Sequence, residues 1–131
     1  MRARVNVTAK NGDRYVFRLN REHRDMIRAC VGLMADLRVP DEVLAVQVGC
    51  SRERLTTLWR YIGSIDADGP TELSLREAHI VHSALLSSID CFRSEEDFHG
   101  HLGFYRDNVR RLGLALAEGV GGFESGDFDG V

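Results

Sequence analysis

Val48-Gly49-Cys50-Ser51-Arg52-Glu53-Arg54-Leu55-Thr56-Thr57-Leu58 returns 54 residues later, without a gap, as Leu102-Gly103-Phe104-Tyr105-Arg106-Asp107-Asn108-Val109-Arg110-Arg111-Leu112. Both stretches keep the glycine, the arginine three positions on, and apolar residues at helical spacing. Working outward at the same offset, Leu19 matches Leu73, Met26-Ile27 matches Ile80-Val81, and Cys30-Val31 matches Ala84-Leu85. Glu42 matches Glu96, and Leu44 matches Phe98. An internal repeat shows which positions a structural unit needs. Here the kept positions are those of a tight corner between two helices.

The reading outside the corner gives a mostly α, α+β fold. Residues 1–20 alternate as a β-hairpin, with Val5 and Val7 before the turn and Tyr15, Phe17 and Leu19 after it. Lys10-Asn11-Gly12-Asp13 is the turn, with Asn-Gly at its centre and both central residues at positive φ. Asn20 caps a helix whose Met26, Ile27, Cys30, Val31, Met34 and Leu37 recur at helical spacing up to Pro40. Asp41-Glu42 opens a short helix that Gly49 stops. Ser51 caps a third helix with Leu55, Leu58, Trp59 and Ile62. The second half repeats the plan: Ser74 caps a helix with Leu75, Ala78, Val81, Ala84 and Leu85. Glu95-Glu96-Asp97 opens a short helix, and a last helix runs from about Tyr105 to Ala117. The expectation is five or six helices and one or two hairpins, arranged as two tandem repeats, about 1–63 and 64–118, within one domain over 1–118. Residues 119–131 are Gly-rich and acidic and are expected to form a disordered tail.

With 131 residues, 44% hydrophobic and 28% charged, the chain has the composition of an ordinary soluble domain. No apolar run is long enough for a membrane span. Cys30, Cys50 and Cys91 stand opposite Ala84, Phe104 and Leu37 in the repeat, so buried free thiols are expected, and a cytoplasmic location. The net charge of −3 is unevenly spread: residues 1–28 carry eight Lys/Arg against three Asp/Glu. That basic head faces either an anionic partner or the protein's own acidic body.

Chemistry has few footholds. No Gly-x-Ser-x-Gly or phosphate-binding glycine loop exists, and Ser51 and Ser74 are explained as caps, so the chain is read as non-enzymatic. His79 and His82 on one helix, with His99 and His101 on the next, would hold a metal only if those faces converged. His79, His82 and His101 match Asp25, Arg28 and Gln47, so surface histidines, no metal and no cofactor are expected. Asp66-x-Asp68-Gly69 hints at a calcium loop but is read as a turn. Trp59 and Tyr61 end the third helix, where one of them should be exposed. With Arg52, Arg54 and Arg60 they form the candidate patch for a protein partner.

Residues 42–62 resemble the helix-turn-helix of DNA-binding proteins. Ala45 would allow a close helix crossing, Gly49 would make the turn, and Ser51, Arg52, Thr56, Thr57 and Arg60 would face a groove of DNA. Residues 41–65 are electrically neutral, however, and phosphate binding needs surplus cations. The second half also resembles the small immunity proteins of bacterial polymorphic toxin systems. The frame is Leu75-x-Glu77, then Glu96-x-Phe98-x-x-x-x-Gly103-x-x-Arg106 and a Leu-ended helix. The first half keeps it loosely in Glu22, Glu42, Leu44, Gly49 and Arg52. That resemblance implies a cytosolic, non-catalytic protein that blocks a cognate toxin by surface complementarity; a small DNA-binding regulator is the alternative.

Overall fold

Alternation in the first twenty residues becomes a hairpin that buries one face. The computed structural model describes residues 4–66 and 69–126. Strand β1 (Asn6–Asn11) pairs antiparallel with β2 (Arg14–Arg18), with Asn6 opposite Arg18, and a register shift falls between Val7 and Ala9. The turn differs from the expected one. Asn11 is already paired with Arg14, so Gly12 and Asp13 are the central residues. Only Gly12 has positive φ, at 63°. Glycine at the first central position is the II′ arrangement, whose twist matches the flanking strands.

Strand β3 (Thr71–Ser74) lies antiparallel to β2, with Tyr15 opposite Leu73, giving the order β1-β2-β3. Strand β3 thus extends the first hairpin; the second, shortened hairpin considered from sequence over residues 66–70 lies partly outside the described residues. Val5, Val7, Tyr15, Phe17, Thr71 and Leu73 point inward and are buried. Asn6, Thr8 and Arg18 point outward and are exposed.

Six helices follow: α1 (Arg21–Asp36), α2 (Asp41–Val48), α3 (Arg52–Ser64), α4 (Leu75–Ile89), α5 (Glu95–Leu102) and α6 (Arg106–Ser125). The starts of α4, α5 and α6 stand 54 residues after those of α1, α2 and α3, and α2 and α5 have matching bounds. Local chemistry sets these limits. Asn20, Ser51, Ser74 and Ser94 each accept a backbone N–H in the first turn that follows. Ser74 and Glu77 complete a capping box, and the same Glu77 oxygen takes a 2.9 Å ion pair from Arg14 of β2. Gly49 and Gly103 end α2 and α5 in the left-handed region, at φ 82° and 83°. A side chain there is strained, which explains why both corners keep glycine.

The helices pack mainly as α1 on α3, α4 on α6, and α1 on α4, while α2 rests on α4. Arg76 of α4 donates to the Gly49 carbonyl at 3.0 Å, placing a cation at the C-terminal end of α2. Buried residues of both halves form one hydrophobic cluster, from Val5 and Phe17 through Met34 and Leu55 to Phe98 and Leu116.

Three expectations need correction. The last helix does not stop near Ala117, nor do residues 119–125 form a disordered tail; α6 continues to Ser125. Phe123 meets the Tyr15 ring edge-on at 6.1 Å, and Glu124 takes a hydrogen bond from the Tyr15 hydroxyl and a 3.1 Å ion pair from Lys10. Residues 127–131 lie outside the described residues. Leu75 was placed on an apolar helix face, yet it is 59% exposed. Cys91 was expected buried, yet it is exposed, while Cys30 and Cys50 are buried.

Candidate interaction surfaces

The residues singled out at the first corner divide sharply between inward and outward roles. Arg52 turns back toward α1. Its guanidinium donates to the carbonyls of Ala35 at 2.8 Å, Val39 at 3.0 Å and Leu37, and pairs with Asp41 at 3.2 Å. Thr56 is half-buried and donates to the Arg52 carbonyl at 3.0 Å. Ser51 caps Arg54 N–H at 3.3 Å. Arg54, Thr57 and Arg60 remain exposed on α3. Ala45 is exposed too, so it makes no helix crossing; α2 packs on α4 instead.

Trp59 and Tyr61 are both half-buried, contrary to the expectation that one would be exposed. The Arg28 guanidinium sits 3.9 Å from the Trp59 ring centroid. Glycines make room for the pair. A Cβ on Gly32 would meet the indole at 3.1 Å, and one on Gly63 would meet Arg28 at 2.6 Å. The Tyr61 hydroxyl accepts the Glu72 N–H at 2.9 Å and so ties α3 to β3. The expected patch thus contributes only Arg54 and Arg60 to the open surface.

The histidines scatter. His79 lies against Ser83 at 3.4 Å, His99 stacks on Tyr105 at 4.2 Å, and His101 lies 5.2 Å from the Phe92 ring. Burial holds the His82 ring below the ordinary histidine range, helped by neighbouring His79. Among the described residues no group of three His, Cys, Asp or Glu is placed to hold a metal ion. The Asp66–Gly69 segment lies partly outside the described residues. Among those residues, no helix is long and apolar enough to cross a membrane.

Two grooves carry the open chemistry instead. The first runs between α4 and α6 and has a volume of about 790 Å³. Leu75, Ala78, Leu116, Ala117 and Val120 line it, with His79, His82 and Arg76 as its polar members. Leu86, 36% exposed, continues the α4 stripe one turn beyond His82 and faces Gly113 of α6. The spacing 75, 79, 82, 86 marks one helix face. Of its leucines only Leu75 is singled out from sequence, as a member of the apolar face of α4; Leu86 carries no local signal that separates it from the core.

The second groove, about 1030 Å³, lies over the outer face of the sheet and the start of α1. Arg4, Arg18 and Arg21 line it with Asn6, Thr8 and His23. Burial lowers the His23 pKa, and its Nδ1 is enclosed without a hydrogen-bond partner. The basic head therefore splits. Lys10 and Arg14 meet acids of the body, Arg24 donates to the Leu19 carbonyl at 2.9 Å, and Arg28 covers Trp59. The side chains of Arg4, Arg18 and Arg21 have neither ion-pair nor hydrogen-bond partner among the described residues.

Compared with protein families, with curated proteins and with solved structures, the chain finds no match.

Proposed function

We propose that the chain is a non-catalytic, cytoplasmic protein-binding module that inhibits its partner by covering it, in the manner of immunity proteins of bacterial toxin systems. The observation that carries this reading is the open α4–α6 groove, where Leu75, 59% exposed, lies with Ala78, Leu116, Ala117 and Val120. Contiguous exposed apolar surface is costly in water and marks sites of association. Its polar members, Arg76, His79 and His82, supply orientation at the rim. The paired corners, with their common 54-residue offset, support a duplicated scaffold whose surface residues differ between halves.

A protein partner has more support than DNA. Arg52, the cation best placed by sequence to meet phosphate, is bonded to three carbonyls of its own chain. Helix α2 rests on α4, not on α3 across Ala45 as a helix-turn-helix would require. The test is capture of partners from the native cell lysate, with and without nuclease, using the wild-type chain and Leu75→Asp/Leu86→Asp. A nuclease-resistant partner whose toxicity the chain relieves in cells, and which the double variant loses, is the expected result. A nuclease-sensitive complex, or a nanomolar sequence-selective complex with operator DNA, would replace this reading with the regulator.

A further inference from the structure

We infer that the groove over the outer sheet face is a second contact surface and that it receives a short acidic segment of a protein partner. This rests on the reading that the partner is a protein. Arg18 leaves β2 on the solvent side, Arg21 opens α1 two residues after Leu19, and Arg4 leads into β1; all three are exposed and line one groove. The other described cations of the head have intramolecular work, through Glu124, Glu77, the Leu19 carbonyl or the Trp59 ring. Acids elsewhere on the chain are thus within reach of this head, and among the described residues they take Lys10 and Arg14 and leave these three arginines without an ion pair. No acidic side chain among the described residues lines the groove. Three guanidiniums without an ion pair among the described residues, placed beside the sheet and at a helix start, attract an anion. Each presents a planar fork that fits a carboxylate through two parallel hydrogen bonds. Asn6 and Thr8 add neutral polar groups on the same face.

Charge and shape favour a protein acid over a nucleic acid. A duplex carries a phosphate charge about every 1.7 Å along its axis and continues past any short groove. The chain as a whole has net charge −3, and Glu22 is exposed next to Arg21, so a long polyanion meets repulsion at the margins. Single strands add affinity by stacking bases on exposed aromatic rings. Among the described lining residues the aromatic rings are Phe17, which is fully buried, and His23, which is half-buried; no exposed Trp, Tyr or Phe lines the groove. A few carboxylates on a short extended segment need the groove alone.

The experiment uses the full chain and a short fluorescently labelled peptide of alternating aspartate and serine. Anisotropy is followed at low and physiological salt, beside an asparagine–serine peptide and a single-stranded oligonucleotide of equal charge. The expected result is binding of the acidic peptide that weakens with salt and exceeds both controls. Arg18→Glu/Arg21→Glu should weaken it at least about tenfold, and Arg60→Glu, on α3, should not. If the charge reversal compromises folding by circular dichroism, Arg18→Ala/Arg21→Ala takes its place, and a several-fold loss is expected. Equal binding of the acidic and neutral peptides, or unchanged affinity in the groove variants, would overturn the inference. Tighter binding of the oligonucleotide through the same arginines would overturn the choice of occupant. Failure here leaves the capture test on Leu75 and Leu86 untouched, because that test reads the other groove.

Discussion

Arg52 and Arg106 stand 54 residues apart and make the same kind of contact: each reaches back across its corner to backbone carbonyl oxygen at or just beyond the end of the preceding long helix. For Arg52 these belong to Ala35, Leu37 and Val39; for Arg106 the acceptor is Phe92. The last carbonyls of a helix lack intrahelical donors, and a guanidinium supplies several at once. Each arginine so ties the helix it opens, α3 or α6, back to the segment at the end of the preceding long helix.

Removing that guanidinium leaves partly buried acceptors unsatisfied. Arg52→Ala is expected to destabilise by about 1–3 kcal/mol in urea melts. Arg52→Lys should recover only part of the loss, since an ammonium cannot span the three acceptors as the fork does. Arg52→Ala with an unshifted midpoint would mean that these contacts contribute nothing.

The end of α6 gives a pair of opposite expectations from one substitution type. A Cβ on Gly119 would meet the Val5 carbonyl oxygen at 3.0 Å, whereas one on Gly121 meets nothing within 4 Å. Gly121→Ala should stabilise by roughly 0.5–1 kcal/mol through helix propensity alone. Gly119→Ala should lack that gain, because the helix must back away from β1. Thermal melts of the two variants, read side by side, decide this.

The clamp among Lys10, Tyr15 and Glu124 is pH-sensitive. The hydrogen bonds from Tyr15 and Lys10 hold the Glu124 carboxyl below its usual range, and the bond to Glu124 holds Lys10 above its own. A depressed carboxyl contributes stability above its unfolded pKa and loses it as pH falls through the folded value. A raised ammonium contributes below its unfolded pKa and loses that as pH rises through the folded value. Amide protection over residues 120–125 should therefore be highest near neutrality and drop toward both extremes. In Glu124→Gln the acid-side drop should disappear.

The thiols should separate by accessibility. Burial pushes the Cys30 thiol up to about 11, and it raises Cys50 as well. Cys91 is exposed, though burial of its sulfur and nearby Asp90 raise it too. A thiol-specific reagent at neutral pH should modify Cys91 first, with the other two reacting only on unfolding. Cys91→Ser should abolish the early phase.

Local signals carried most of the element boundaries. Caps at Asn20, Ser51 and Ser74 and stops at Gly49 and Gly103 act within one turn of the chain, so they are visible in sequence. What sequence reading missed depends on distant partners. Glycines at 119, 121 and 122 argue against a helix, yet Tyr15 and Lys10, from the other end of the chain, hold that segment helical. Trp59 looked available to a partner because nothing near it in sequence announces Arg28 on another helix. The charge excess of the head was plain, but which arginines remain unpaired depends on where Glu77 and Glu124 come to rest. Leu75 obeys the apolar period, but as the first residue of α4 it falls outside the shared core.

The matching corners carry a consequence for stoichiometry. Glycine and arginine hold both corners from the inside, leaving the outward positions free to diverge: Gln47 against His101, Ser51 against Tyr105, Arg60 against Leu114. A ligand that reads side chains meets two different faces at two similar corners. It engages one corner and finds the other foreign, so one such complex per chain is expected, and the likeness of the corners does not double its valency.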